Sequence, residues 1–288
     1  MLAILGGVTA AILWSVANVG STRASQQIGT ASAVGLATSI GLLVAVPLAV
    51  MAPIPAFAPA DVAALGVAAV GGVLGLGFAY RALRLGRIGI ISALISTEGA
   101  IAAIIAVIAG EQLRPAVGAA LVLIMVGVVV LAVTGGEHVD AHPSRRLDPA
   151  HARRAVVDGG AAALLFGLGL FAVGHLAGSL SPAFGALPSR LGGFLFVLVP
   201  LIATGRLRIN ATGLRWAAVV GLADVTGIIA FGIGARENTA IAAVLASQVA
   251  AVSTLGAFIL YRERLSRPQA LGLVVVAIGV TALAVARG

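Results

Sequence analysis

The sequence predicts an all-α, polytopic membrane protein whose ten transmembrane helices form two inverted five-helix repeats. Three observations support this prediction. Apolar segments recur along all 288 residues, and the arginines concentrate in alternate loops. The second half of the chain also matches the first after a shift of 152 residues, which is the separation of Glu111 from Glu263.

The apolar segments follow from the composition. Hydrophobic residues make up 60% of the chain, charged residues make up 10%, and the mean hydropathy is +1.12. A helix needs about 20 apolar residues to cross the ~30 Å of hydrocarbon in a bilayer. Strands are not expected, because the runs are continuous and do not alternate as in a membrane barrel. The predicted helices span residues 2–21, 31–51, 62–80, 88–109, 115–134, 156–176, 183–204, 214–233, 239–260 and 268–286.

Charge sets the expected orientation. The net charge of +8 comes entirely from arginine, and the chain has no cysteine. Because the arginines are spread over short loops and form no single basic domain, nucleic acid is not an expected partner. Fourteen of the 18 arginines lie in or beside the loops after helices 1, 3, 5, 7 and 9. Positively charged loops stay cytoplasmic, so we predict a multi-pass protein of the inner (cytoplasmic) membrane with both termini extracytoplasmic.

Self-similarity indicates a duplication. The segment GEQLRP at 110–115 has a likeness in RERLSRP at 262–268, and nine of the 23 residues from 111 to 133 are identical to those at 263 to 285. Self-similarity at a fixed shift is typical of repeat architectures. The shift sets together Glu111 and Glu263, Gly127 and Gly279, Trp14 and Phe166, and Gly75 and Gly227.

The duplication defines three parts of the chain. Residues 1–134 form the first five-helix repeat, residues 135–155 form a polar cytoplasmic linker, and residues 156–288 form the second repeat. Five is an odd number of spans, so the second repeat starts on the opposite side of the membrane from the first. Inverted repeats suit alternating access, because two equivalent arrangements open one central cavity to opposite sides.

The residues also resemble a known family. The opening AILWSVANVGSTRA and the endings GEQLRPAVGAALVLIMVGVVVLAV and RERLSRPQALGLVVVAIGVTALAV resemble the EamA family of the drug/metabolite transporter superfamily. The resemblance covers nearly the whole chain. It implies a carrier without cofactors, and not an enzyme, that exports or exchanges small metabolites, amino acids or drugs. Such families often carry proline where this chain has Glu98 and Ala250.

Three charged residues fall within predicted helices, where each costs at least about 2.5–3.5 kcal/mol on insertion scales. Glu98 and Asp224 lie ten residues into helices 4 and 8, which is ~15 Å at 1.5 Å per residue. Arg190 lies seven residues into helix 7, ~10 Å deep. The equivalent positions in the other repeat are Ala250, Gly72 and Thr38. Charged residues that have no charged equivalent in the other repeat suggest that a function was added to a symmetric pair of repeats.

Two mechanisms use these three residues. In one, Arg190 binds the carboxylate of an amino-acid-like substrate and Glu98 or Asp224 binds its ammonium. In the other, Glu98 or Asp224 carries a proton that exchanges for a cationic or amphipathic drug. A structural alternative is an ion pair of Arg190 with one carboxylate that locks the helices. Residues of similar depth are expected to complete the substrate site: Trp14, Asn18, Ser96, Thr97, Ser247 and Gln248.

Outside the predicted spans, Glu111 and Glu263 are interpreted as structural, because a carboxylate is favourable near the N-terminus of the helix that follows it.

No metal site is predicted, and the expected partners are a small-molecule substrate, the bilayer and protons, in a monomer or a weak homodimer. We therefore predict a secondary transporter that works by alternating access. A flippase for a phosphate-bearing lipid carrier is the alternative, and an intramembrane enzyme is a weaker one because no nucleophile lies beside a base.

Overall fold

A computed structural model describes residues 1–53, 57–85, 91, 94–135, 149–252, 255 and 266–287. Within these ranges the chain is helical or forms short connections, and no residue is in a β-strand. A π-helical turn at Phe194–Leu198 joins the helix Pro182–Gly193 to the helix Val199–Ala203. The helices are α1 (Leu2–Ile28), α2 (Thr30–Val50), α3 (Pro59–Leu85), α4 (Glu98–Ile108), α5 (Pro115–Gly135), α6 (Pro149–Ser179), α7 (Pro182–Gly193), α8 (Val199–Ala203), α9 (Ala211–Ala235), α10 (Thr239–Ala246) and α11 (Arg267–Arg287).

Seven of the helices in the described ranges are long and apolar enough to cross a membrane. They are α1, α2, α3, α6, the continuous α7–α8 segment, α9 and α11. Shorter apolar helical segments, Glu98–Ile108, Pro115–Leu131 and Thr239–Val252, occupy the predicted fourth, fifth and ninth spans. Within the described residues, each of the ten predicted helices overlaps a helical segment, and seven of these segments meet the length and hydropathy of a membrane span.

Several helices extend past their predicted ends. Helix α1 continues to Ile28 and stops at Gly29, whose φ of 81° is the left-handed conformation that glycine tolerates best. Helix α3 continues to Leu85, and α6 begins at Pro149, inside the predicted linker. Hydropathy detects the apolar part of a helix, whereas these added turns are polar and project beyond it. The rest of the linker, residues 136–148, lies outside the described ranges.

The predicted fourth and ninth helices are interrupted near their centres. Ser96 and Thr97 form a turn before α4, and Ser247 and Gln248 form a turn after α10. In both turns a backbone N–H, that of Thr97 or Gln248, bonds at 3.2 Å to the carbonyl three residues earlier. The Thr97 and Ser247 hydroxyls also donate to the carbonyl three residues earlier, at 2.7 and 2.9 Å. Neither interruption contains proline, so we attribute both to hydroxyls that compete for helix carbonyls.

The two halves pack through matched contacts. Helix α1 packs on α9 and α3 packs on α6; α5 packs on α11, α4 on α10, and α2 on α7. Helix α1 also contacts α10, as α4 contacts α6. By the alignment, α1 is equivalent to α6, α2 to α7, α3 to α9, α4 to α10 and α5 to α11. The α1–α9 contact is therefore equivalent to the α6–α3 contact, and the α1–α10 contact to the α6–α4 contact. The α5–α11, α4–α10 and α2–α7 contacts each join a helix to its own equivalent.

Glycines make these contacts close. A Cβ at Gly127 of α5 would lie 2.7 Å from Val276 of α11, and one at Gly279 would lie 2.6 Å from Ile124. The shift of 152 residues sets Gly127 on Gly279 and Ile124 on Val276, so the two contacts are equivalents of each other. Because residue numbers rise along α5 as they fall along α11, the two helices are antiparallel. Close approach of this kind is typical of small residues at helix interfaces in membranes.

The pairs Trp14–Phe166 and Gly75–Gly227, which the sequence alignment sets together, show the same exchange. Trp14 of α1 lies on Gly227 of α9, where a Cβ would be 2.6 Å from the indole Nε1. Phe166 of α6 lies on Gly75 of α3, where a Cβ would be 2.8 Å from the ring. In each half the aromatic ring fills the space that a glycine of the other half leaves open.

Candidate functional site

Arg190 and Asp224 form an ion pair inside the bundle. Arg190 lies on α7 and is 4% exposed. Its Nη2 is 2.7 Å from Oδ2 of Asp224 on α9, and the Asp224 side chain keeps 37% of its exposure. A buried arginine is tolerated when an anion compensates its charge, and Asp224 supplies that anion.

The guanidinium of Arg190 is held by its surroundings. Its Nη1 donates a 2.7 Å hydrogen bond to the Ser189 hydroxyl. The stem crosses Gly41 of α2, where a Cβ would lie 3.3 Å from Nε. The π-helical turn of this span begins at Phe194, four residues further along, and such turns often occur at functional sites.

Helix interruptions contribute polar side chains. Ser247 and Gln248 are 2% and 5% exposed, and the Gln248 amide donates to the Val244 carbonyl at 2.9 Å. The Ser247 hydroxyl lies against Gly99, so closely that a Cβ on Gly99 would collide with it. Ser247 therefore packs at the crossing of α4 and α10. On the other side of that crossing, Ser96, Thr97 and Glu98 are half-buried.

Two further predicted residues lie on α1. Trp14 is half-buried, with its ring centroid 6.4 Å from that of Phe231. The next residue, Ser15, donates to the Val249 carbonyl at 3.1 Å, just beyond the interruption that follows α10. Asn18, one turn along, is exposed.

The contacts bring these residues to one level of the bundle. Trp14 contacts α9 one turn from Asp224, Ser15 reaches the interruption after α10, and Ser247 at that interruption contacts the first turn of α4, where Glu98 stands. Of the three charged residues predicted for the site, the structure pairs two. The Glu98 carboxyl makes no ion pair or hydrogen bond with the residues that the structure describes.

Unsatisfied polar atoms mark the same level. Among the described residues, four buried side-chain atoms lack a hydrogen-bond partner: Nε1 of Trp14, Nε and Nη2 of Arg190, and Oε1 of Gln248. Arg190 Nη2 is close enough to Asp224 for an ion pair, but it is not aligned for a hydrogen bond. Buried polar groups are nearly always hydrogen-bonded, so this set of three donors and one acceptor distinguishes this level from the rest of the described residues.

Sequence reasoning missed three residues that shape the site. Ser189 bonds the guanidinium, Gly41 makes room for it, and Ser15 joins α1 to the interruption after α10. Adjacency to Arg190 is a signal that would have indicated Ser189. Nothing in the sequence distinguishes Gly41 or Ser15 from the other small residues of these helices.

At one end of the bundle Glu111 stabilises a helix start, as predicted, but of a different helix. Its Oε1 accepts a 3.4 Å bond from the Ala240 N–H at the N-terminus of α10, not of the α5 that follows it. Asn238 caps the same helix and accepts from the Ile241 N–H at 2.8 Å. Burial raises the pKa of Glu111, and the N–H donors oppose that rise. The related residue, Glu263, lies outside the described ranges.

At the C-terminal end of α3, Arg81 forms a second ion pair with Asp158. Arg81 donates two hydrogen bonds to the Asp158 carboxylate on α6. The Asp158 side chain is 3% exposed, and Arg81 also lies over the Phe78 ring, 5.1 Å from its centroid. The predicted third helix ends at residue 80, whereas α3 continues to Leu85 and therefore includes Arg81.

Long apolar helices around a buried ion pair and polar helix interruptions define a multi-pass membrane protein with a polar centre. The model of the EamA-like transporter family matches residues 1–133. Over these residues the chain is similar to the EamA-like transporters of the drug/metabolite transporter superfamily, the family that the sequence predicted.

Comparison with solved structures supports the fold of the whole chain. One crystal structure of a protein superposes with a TM-score of 0.74 at 20% sequence identity, covering 98% of each chain. At that identity the likeness shows the fold and carries no statement about a substrate. No curated protein matches this sequence.

Proposed function

We propose that this protein is a secondary transporter that exports or exchanges a small polar or amphipathic organic molecule by alternating access. One observation carries the proposal: the unpartnered buried atoms of Trp14, Arg190 and Gln248 lie at the level of the Arg190–Asp224 ion pair. A bundle that only had to be stable would leave few such atoms, because each costs roughly 1–3 kcal/mol. A transported molecule would satisfy them during part of each cycle.

The packing of the two halves supports alternating access. Equivalent residues of α5 and α11 exchange contacts across an antiparallel seam, as do those of the α1–α9 and α3–α6 pairs. We infer two inverted five-helix repeats related by a pseudo-two-fold axis in the membrane plane. In such a frame the arrangement of one half can be adopted by the other, which opens the same site to the opposite side.

Roles follow from the chemistry of the side chains. Arg190 suits an oxyanion, and Glu98 and Asp224 suit an ammonium group or a proton. Trp14 offers an apolar or cation-binding wall. The polar residues Asn18, Ser96, Thr97, Ser247 and Gln248 complete the proposed site. The arginine distribution supports an inner-membrane location with extracytoplasmic termini.

Uptake and counterflow in proteoliposomes test the proposal, with amino acids and amphipathic drugs as probes and with or without a pH gradient. The wild type should accelerate exchange of at least one probe over protein-free liposomes. Glu98→Gln should reduce that exchange about tenfold or more, which corresponds to ~1.4 kcal/mol of lost stabilisation. Glu111→Gln is the matched control, because Glu111 caps a helix away from the site. Equal exchange by wild type and Glu98→Gln would remove Glu98 from the mechanism, and no exchange of any probe would contradict transport.

A further inference from the structure

Arg190 is the fixed member of its ion pair, and Asp224 is the replaceable one. The guanidinium is buried, bonded to Ser189 and packed on Gly41. The Asp224 side chain remains 37% exposed, against 5% for that of Arg190. A carboxylate that is partly open to its surroundings can leave, whereas the buried guanidinium cannot.

Asp224 also leaves part of Arg190 unused. One Asp224 oxygen is 2.7 Å from Nη2, yet neither Nε nor Nη2 has a hydrogen bond among the described residues. These two nitrogens form one edge of the planar guanidinium. A carboxylate meets such an edge with two parallel N–H···O bonds, a stronger arrangement than a single misaligned contact.

We propose that Arg190 receives the carboxylate of the transported molecule in place of Asp224, and that the displaced Asp224 is then neutralised by the amino group of that molecule or, if it has none, by a proton. This inference rests on the proposed function, because it assigns a substrate class to the same site. It makes Asp224 a resident counter-ion that the substrate displaces.

Charge balance dictates the proton count. Before a substrate binds, the Arg190–Asp224 pair holds one positive and one negative charge. A monocarboxylate adds one negative charge, so one proton must enter with it and sit on Asp224, because an uncompensated charge at this depth is costly. A zwitterionic amino acid brings its own ammonium group and needs no proton. Both loadings are electroneutral. An amine without a carboxylate cannot displace Asp224 from Arg190, so it does not bind at this site.

Other ionisable groups near Asp224 are few. Helices α2 and α10, which pack on α9, carry none, and α1 carries Arg23 on an exposed turn. Helix α7 contributes Arg190 itself. Glu98 on α4 is the other carboxyl at this level among the described residues. The ionisable residues of α6 lie toward its two ends: His151, Arg153, Arg154, Asp158 and His175.

Proton counting in proteoliposomes of the full-length chain tests the inference. Solute uptake is measured together with the internal pH, and the leak of protein-free liposomes is subtracted. Two matched sets of probes are used: L-threonine, 3-hydroxybutyrate and 1-amino-2-propanol; and L-phenylalanine, 3-phenylpropanoate and 2-phenylethylamine. Glycerol 3-phosphate tests whether a phosphate replaces the carboxylate. The acids should enter with one proton each, the amino acids with none, and the amines and glycerol 3-phosphate should not be transported.

Variants locate the proton and the carboxylate. Asp224→Asn should transport the acids without a proton, so that each acid carries one net negative charge. Arg190→Lys keeps the charge but loses the planar fork, so the half-saturating concentration of acids and amino acids should rise about tenfold or more. Arg81→Lys is the matched control, since Arg81 is also paired with an aspartate, and it should leave the preference for acids over amines unchanged.

Distinct outcomes overturn the inference and the proposed function. Transport of amines alone, or of glycerol 3-phosphate in preference to the acids, would overturn carboxylate recognition at Arg190. Equal proton counts for acids and amino acids in the wild type would overturn the exchange, and that measurement needs no variant to fold. Loss of proton movement in Glu98→Gln but not in Asp224→Asn would assign the proton to Glu98. If no member of either set or of the wider panel were transported, the proposed function itself would fail.

Discussion

Gly127 of α5 lies so close to Val276 of α11 that a Cβ on the glycine would be 2.7 Å from the valine side chain and 2.9 Å from its backbone nitrogen. The equivalent pair, Gly279 and Ile124, repeats the contact from the other half. The α5–α11 interface therefore contains two positions, Gly127 and Gly279, that leave no room for a methyl group.

Gly127→Ala should destabilise the protein. The added methyl must push α5 and α11 apart, and overpacking of this kind costs about 1–3 kcal/mol. Thermal unfolding in detergent micelles measures the effect as a lower midpoint. Gly118→Ala on the same helix is the control, since a Cβ there meets nothing within 4 Å. It should be neutral or stabilise by up to about 1 kcal/mol. Equal effects of the two substitutions would contradict the close seam.

Arg81→Gln should lower the midpoint of thermal unfolding, because it removes the cation that is hydrogen-bonded to the buried Asp158 carboxylate. The double variant Arg81→Gln with Asp158→Asn should recover part of the loss, since no charge then remains buried. A double variant no more stable than the single one would show that the pairing does not stabilise the fold.

Glu111 should make stability depend on pH. Because burial raises its pKa, the folded state binds the proton of Glu111 more tightly than the unfolded state does. Its contribution therefore falls as the pH rises from the ordinary carboxyl pKa through the raised value. The midpoint of thermal unfolding, measured from about pH 4 to 7 for wild type and Glu111→Gln, isolates this effect. The advantage of the wild type over the variant should shrink with rising pH, and a constant difference would exclude Glu111 as its source.

Cysteine labelling can test the proposed orientation, because the chain has no cysteine of its own. Gln112, between α4 and α5, and Arg206, between α8 and α9, are exposed. In intact cells a membrane-impermeant maleimide should label Gln112→Cys, and it should label Arg206→Cys after the membrane is permeabilised. Labelling of both, or the reverse pattern, would contradict the inferred topology.

Much of the helical framework could be predicted from the sequence, because the cost of exposing polar backbone to hydrocarbon leaves a strong hydropathy signal. The alignment also indicated which residues are equivalent, and Trp14 and Phe166 occupy equivalent contacts in the structure. The interruptions at Ser96–Thr97 and Ser247–Gln248 could not be predicted. They contain no proline, and the hydroxyls that cause them are common in uninterrupted membrane helices.

Part of the site was accessible to sequence reasoning and part was not. The depth of Arg190 showed that it needs an anion, but Glu98 and Asp224 lie at equal predicted depth. The choice of Asp224 depends on how α7 and α9 face each other, and Gly41 of α2 lies against both Arg190 of α7 and Gly221 of α9. A pattern along one helix does not report the rotation of its neighbours. For that reason the sequence could name the charged residues without matching them.

The α5–α11 seam is self-complementary in shape, because both of its faces are built from equivalent positions. A chain severed after α5 would expose a face that fits an upside-down second copy of itself, with Ile124 of each copy seated on Gly127 of the other. In the proposed duplication, two such copies joined in one polypeptide can change independently of each other, and Arg190 and Asp224 both lie in the second half.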